Sequence, residues 1–170
     1  MKIIKLTVLA ALVAAPMSLA AQDLSGFRAG ISAGTLNGED NASGNEQNNG
    51  LFAGYDYDLG NSVIGGELAY NNGDINATGV TLEDSLQVKA RYGLKVGNGG
   101  LAYGTAGFAR ANASTGGHDE GYVVGFGYEH ALNDQLSVGG EYLYNSYDNV
   151  GGTATDVSAH SLAVRLGVKF

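Results

Sequence analysis

The side chains able to do chemistry in this 170-residue chain are carboxylates, amines, guanidiniums and three histidines; cysteine and tryptophan are absent. Six charged residues, Glu67, Lys89, Arg91, Glu129, Glu141 and Arg165, fall in segments where apolar and polar residues alternate. Successive side chains of a β-strand point to opposite faces, so strands through these segments aim all six to one side. Charges removed together from water are costly unless paired. The first expectation is therefore an interior salt-bridge network. The alternative is a ring of charges that selects ions along a path.

The histidines fit catalysis less well. His118 lies beside Asp119 and Glu120 in a polar stretch, and His130 sits next to a turn, four residues before Asp134. His160 precedes Ser161, but strand neighbours face opposite sides and cannot form a base–nucleophile pair. The expectation is a chain that is not an enzyme, with no cofactor and no metal site. The Asn37–Asn49 stretch carries Glu39, Asp40 and Glu46 but lacks the ordered ligand spacing of a cation loop. Asn41-Ala-Ser43, Asn76-Ala-Thr78 and Asn112-Ala-Ser114 match the glycosylation sequon and read as Asn-rich loop chemistry. An acidic chain, with 17 Asp and Glu against 9 Lys and Arg, argues against a nucleic-acid partner.

The elements that position these residues are eight alternating segments: about 26–35, 51–58, 62–71, 82–96, 101–111, 121–130, 136–145 and 160–170. The last is the clearest. Leu162, Val164, Leu166, Val168 and Phe170 share one face, while Ser161, Ala163, Arg165, Gly167 and Lys169 share the other. About ten alternating residues are what a strand needs to cross a bilayer with lipid on one side and a polar lumen on the other. The fifth segment is the least regular, since Tyr103 and Phe108 fall on opposite faces. Short turn-rich links at 59–61, 97–100 and 131–135 interleave with longer polar ones at 36–50, 72–81, 112–120 and 146–158. This is the rhythm of eight antiparallel strands with both termini at one end. In outer-membrane barrels the short turns face the periplasm. A soluble lipocalin-like barrel would instead turn the apolar faces inward.

Composition agrees. Residues 1–20 have a basic start, an apolar run from Leu6 to Ala15 and small residues at Ser18-Leu19-Ala20, the layout of a signal peptide cleaved near Ala20. Residues 21–170 then form one barrel domain. The only proline, Pro16, leaves with the signal, so no later residue forbids a ladder hydrogen bond. Glycine is abundant at 28, and tyrosine supplies 10 of the 15 Phe and Tyr residues. Gly54-Tyr-Asp-Tyr-Asp58 with Gly65-Gly-Glu-Leu-Ala-Tyr-Asn71 is echoed by Gly125-Phe-Gly-Tyr-Glu129 with Gly139-Gly-Glu-Tyr-Leu-Tyr-Asn145. The echo places Glu67 and Glu141 at matching positions.

The signal-like start, the Gly-Gly-Glu strands, Leu101-Ala-Tyr-Gly-Thr-Ala-Gly107 and the terminal Phe170 give a sequence that resembles the small outer-membrane β-barrel proteins. These include the opacity-type and porin-like surface proteins and the OmpA-type membrane domain, here without a peptidoglycan-binding domain. The resemblance implies an all-β, eight-stranded, up-and-down transmembrane barrel in the outer membrane of a Gram-negative cell. It also implies that Leu162, Val164, Leu166, Val168 and Phe170 form the signal read by the barrel-assembly machinery. The expected role is structural and surface-interactive, with lipid and lipopolysaccharide as membrane partners and a surface or host ligand at the loops. A narrow porin is the alternative; a lipid-modifying enzyme stands behind both.

Overall fold

The computed structural model describes residues 23–38, 46–77, 80–113, 118–147 and 157–170. The signal-like residues 1–20, the Asn41-Ala-Ser43 sequon and part of the Asn37–Asn49 stretch lie outside them. Eight strands follow in order: β1 (Gly26–Gly38), β2 (Glu46–Asp58), β3 (Ser62–Ala77), β4 (Val80–Val96), β5 (Gly100–Ala113), β6 (His118–Ala131), β7 (Leu136–Tyr147) and β8 (Val157–Lys169). Each pairs antiparallel with its neighbour in sequence, and β8 returns to β1, with Arg28 opposite Lys169 and Gly38 opposite Ala159. Closure satisfies every strand edge, which is what permits a sheet in lipid.

The short links form the turn end of the barrel. Gly60 adopts φ 94° between β2 and β3, and Gly97 and Gly99 adopt 60° and 80° between β4 and β5, a region L-residues avoid. Between β6 and β7 the Asn133 side chain accepts the N–H groups of Gln135 and Leu136 at 2.9 and 2.7 Å. At the other end the strands run further than alternation alone suggests. β3 reaches Ala77 and β4 starts at Val80, so only residues 78–79 separate them, with register shifts at Asn72/Ile75 and Leu82/Asp84. The ladder continues there because hydrogen bonding does not depend on side-chain polarity. In the sequence the apolar–polar alternation lapses over residues 73–83.

The facing is that of a membrane barrel, not a lipocalin. Phe27, Leu51, Tyr55, Leu68, Leu86, Val88, Tyr92, Val124, Phe126 and the whole 162–170 stripe are exposed on the outside. Arg28, Asp56, Glu67, Gln87, Lys89, Arg91, Glu141, Asn145 and Arg165 are buried inside. β5 follows the same parity: Leu101, Tyr103, Thr105, Ala109 and Ala111 point inward, while Ala102, Ala106, Phe108 and Arg110 point outward. Small residues on both faces blurred its pattern, and Tyr103 alone carried a large aromatic inward.

Val164 is 63% exposed and sits in the middle of the terminal stripe. Val164→Arg should cost about 2–4 kcal/mol of folded stability in a bilayer, measured by reversible urea unfolding in lipid vesicles, while Val164→Leu should be near neutral. Equal stability of the Arg variant and the parent would contradict the facing.

Candidate functional site: the charged lumen

The alternation that turns apolar residues outward forces Arg28, Asp56, Glu67, Lys89, Arg91, Glu129, Glu141 and Arg165 into the lumen. They meet as four cations and four carboxylates. Glu67 is the hub: Lys89 Nζ lies 2.9 Å from its Oε1, and Arg165 Nη2 donates to its Oε2 at 2.6 Å. Arg28 Nη2 donates to the same Oε2. Lys89 also reaches Glu141 Oε1 at 3.1 Å, and Arg165 Nη1 donates to Glu141 Oε2. Arg28 Nε is 3.1 Å from Asp56 Oδ2. Arg91 links Asp56 at 3.7 Å to Glu129 at 3.3 Å, and Ser137 Oγ donates to Glu129 at 2.7 Å.

The geometry therefore brings together the six charges expected from the sequence and adds Arg28 and Asp56. Arg28 was legible, since it stands between outward Phe27 and Ala29. Asp56 follows the inward parity of Phe52 and Gly54. Arg28 lies outside the repeat that drew attention to Glu67 and Glu141, whereas Asp56 falls in its Gly54–Asp58 half, where Gly127 holds the matching position.

Aromatic rings seat the cations. Arg165 lies over Phe52 at 3.8 Å and Arg28 over the same ring at 5.3 Å, while Arg91 lies over Tyr103 at 4.2 Å. The Tyr103 hydroxyl donates to Glu141 Oε2 at 3.0 Å and accepts from Arg165 Nη1 at 3.3 Å. Glycines make the room. Gly54 stands across from Arg28 and Glu67, Gly65 across from Asp56 and Arg91, and Gly139 across from Glu129 and Arg165. Gly107 faces Lys89 and Gly127 faces Glu141. Each charged side chain thus lies over a residue that has no side chain of its own. A Cβ on Gly65 would come within 2.0 Å of Asp56 Oδ1, and one on Gly30 within 2.4 Å of the Phe52 ring. The high glycine content is the counterpart of the charge layer.

Two small cavities flank that layer. The one toward the turn end, about 50 Å³, touches Phe52, Leu101, Asn133 and Ser137; the one toward the loop end, about 30 Å³, touches Ser32, Asn71, Gln87 and Ser161. Each has room for only a few waters. The second cavity is lined by polar side chains together with the carboxylates of Asp84 and Glu141 and the apolar Leu36 and Leu143, and Gln87 Nε2 donates to Asn145 Oδ1 at 3.1 Å.

The segment before β1 folds back beneath the first cavity. Leu24 packs on the buried cluster Val63, Leu101 and Tyr103. Its N–H donates to Asp58 Oδ2 at 2.7 Å, and the Asp58 N–H donates to Ser25 Oγ at 3.0 Å. Lys95 pairs with the same Asp58 carboxylate, and Lys169 Nζ donates to the Asp23 carbonyl. The Ser25 backbone N–H, helped by its hydroxyl, holds the Asp23 carboxyl below its ordinary pKa.

The histidines stay apart from this site. His130 is exposed on the outer wall, and the side chain of His118 lies outside the described residues. His160 is on the outer face, its Nδ1 2.5 Å from the Tyr142 hydroxyl, whereas Ser161 is buried in the lumen.

A closed eight-stranded sheet with an apolar exterior and a charge-filled interior defines an outer-membrane β-barrel. The chain belongs to the outer membrane protein beta-barrel domain family, whose model matches residues 6–170. Its fold is similar to that of Neisserial surface protein A, at 19% identity and a TM-score of 0.64 over 86% of this chain and 98% of that one. Ail, the attachment invasion locus protein of Yersinia pestis, is similar at 14% identity and 0.58, over 88% and 99%. The N-terminal β-barrel domain of Pseudomonas aeruginosa OprF is similar at 16% identity and 0.54, over 84% and 97%. No curated protein sequence matches the chain.

Removing the hub should be the most damaging single change in the lumen. Glu67→Ala leaves Arg28, Lys89 and Arg165 short of one shared carboxylate and should cost about 3–5 kcal/mol, read by urea unfolding in detergent micelles. Asp58→Asn, at the turn-end rim, should cost far less. A Glu67→Ala barrel as stable as the parent would contradict the assigned pairing.

Proposed function

We propose that this is a non-enzymatic outer-membrane barrel that works through its outer surface and loop end, stabilising the envelope and presenting acidic loops to its surroundings. The observation that carries this reading is the balanced layer of four cations and four carboxylates across the lumen, each ion paired with another. Eight strands enclose a space that side chains fill, which leaves no continuous path wide enough for a hydrated solute. The exterior and the loop end are then the surfaces left to act.

The turn end is assigned to the periplasm, with residues 1–20 removed during export. The four loop-end stretches, residues 36–50, 72–81, 112–120 and 146–158, contain Asp and Glu but no Lys or Arg. Ail has been crystallised with the heparin analogue sucrose octasulfate. A polyanion of that kind does not suit this chain's acidic loop end. The partners that suit it are cationic surfaces on neighbouring or host cells and the cations that bridge lipopolysaccharide. The terminal stripe Leu162, Val164, Leu166, Val168 and Phe170 is assigned as the signal for the barrel-assembly machinery. Deleting Phe170 should sharply lower the amount of heat-modifiable, folded protein in the outer membrane.

A narrow pore is the second reading, favoured by one observation: a cavity lies on each side of the charge layer. Planar-bilayer recording separates the two. The purified barrel should give no reproducible channels. Discrete conductance that changes when Glu141→Gln or Arg91→Gln is introduced would overturn the non-conducting reading.

A further inference from the structure

The loop-end cavity differs in kind from the one at the turn end. Arg28 and Lys169 stand among the carboxylates that line the turn-end cavity, whereas among the described residues no Lys, Arg or His lines the loop-end one. Its two carboxylic residues are Asp84, half-exposed at the rim, and Glu141, buried at the floor where the charge layer begins. Leu36 and Leu143, both buried, give it an apolar wall.

One polar atom of this cavity is left over. Gln87 is only 3% exposed, and its Nε2 donates to Asn145 Oδ1 at 3.1 Å, yet its Oε1 accepts from no group among the described residues. A buried amide oxygen without a donor carries a cost that an entering donor removes. Glu141 is already engaged, since its oxygens accept from Lys89, Tyr103 and Arg165. Gln87 Oε1 is therefore the acceptor that the cavity offers. The space beside it, about 30 Å³, fits a group the size of one or two waters.

We propose that this cavity receives a primary ammonium carried on an unbranched methylene chain, as in a free diamine or a lysine side chain, entering from the loop end. One N–H of the ammonium donates to Gln87 Oε1, and the Ser32 and Ser161 hydroxyls, which also line the cavity, accept its other protons. The methylenes pack on Leu36 and Leu143. Asp84 at the rim and the loop-end stretches without Lys or Arg give the mouth a negative potential that draws a cation in. The proposal deepens, and rests on, the reading of the loop end as an acidic surface for cationic partners. Size and donors also discriminate. A quaternary ammonium brings no N–H to Gln87, a guanidinium is too broad for the space, and an alcohol brings no charge.

The test titrates the folded barrel in maltoside micelles with cadaverine, with acetyl-lysine methylamide bearing a free side-chain amine, and with tetramethylammonium, following the Gln87 side-chain amide by proton–nitrogen NMR. The two primary amines should bind saturably and shift that resonance, and tetramethylammonium should not. Tighter binding of the lysine amide would mark a protein partner as the source, and tighter binding of cadaverine a free diamine. Gln87→Leu should weaken both amines about ten-fold, the loss of one hydrogen bond from a charged donor, while Gln87→Glu should tighten both. Asp84→Asn, at the rim, should weaken them about two-fold. Heat-modifiable migration reports that each variant is folded. No saturable shift, equal binding of tetramethylammonium, or an affinity unchanged by both Gln87 variants would overturn the site. Amine binding that is screened by salt but indifferent to Gln87 would place the cation on the loops, so the acidic-loop reading would survive the failure of this one.

Discussion

A charge inside a barrel that side chains just fill cannot keep its water, and the rest of this structure follows from how that cost is met. Four cations and four carboxylates share one layer, and Glu67 alone contacts Arg28, Lys89 and Arg165. Paired in this way the ions replace hydration with one another, and Phe52 and Tyr103 shield the guanidinium faces. The layer also fixes register. A one-residue slip of any strand would exchange its two faces, sending Lys89 or Arg165 into lipid and Leu86 or Val164 into the lumen. Charge pairing inside and apolar exposure outside thus enforce the same parity.

The glycines belong to the same constraint. Arg, Lys and Glu side chains can lie flat across a narrow lumen only if the facing position is empty, and five glycines provide that space for all eight ions. Gly65 serves Asp56 on one side and Arg91 on the other. At the turn end Leu24 packs separately against Val63 and Leu101. Under the proposed non-conducting reading, the outer wall and the acidic loop end are the surfaces left for interaction.

Much of this was legible in the sequence, for a physical reason. Lipid on one face and buried charge on the other make alternation strict, so the eight strands, the terminal stripe and the inward facing of Glu67, Lys89, Arg91, Glu129, Glu141 and Arg165 could be read residue by residue. Legibility failed where that contrast weakens. Between Asn72 and Ser85 the apolar residues Ile75, Val80 and Leu82 are scattered among Gly, Asn, Asp and Thr without strict alternation, so β3 and β4 run further than their pattern. In β5 the small residues Gly104, Ala106 and Gly107 carry no facing preference. The Asp23–Ser25 return was invisible because it depends on one leucine and on backbone groups bound to Asp58. Arg28 and Asp56 could be placed inward by parity, but their joining to Glu67 and Arg91 requires the register of closure.

The central claim, that the lumenal ions hold one another rather than standing open to solvent, is most directly tested by a double-mutant cycle. Glu67→Gln, Lys89→Met and the combined variant would be unfolded in urea under identical detergent conditions, with the parent as the fourth corner. Ion pairing at 2.9 Å in a side-chain-filled lumen calls for a coupling energy of about 1–3 kcal/mol, the double variant being less damaged than the sum of the singles. Strictly additive losses would mean that Glu67 and Lys89 do not depend on each other, and the charge layer would not be what closes this barrel.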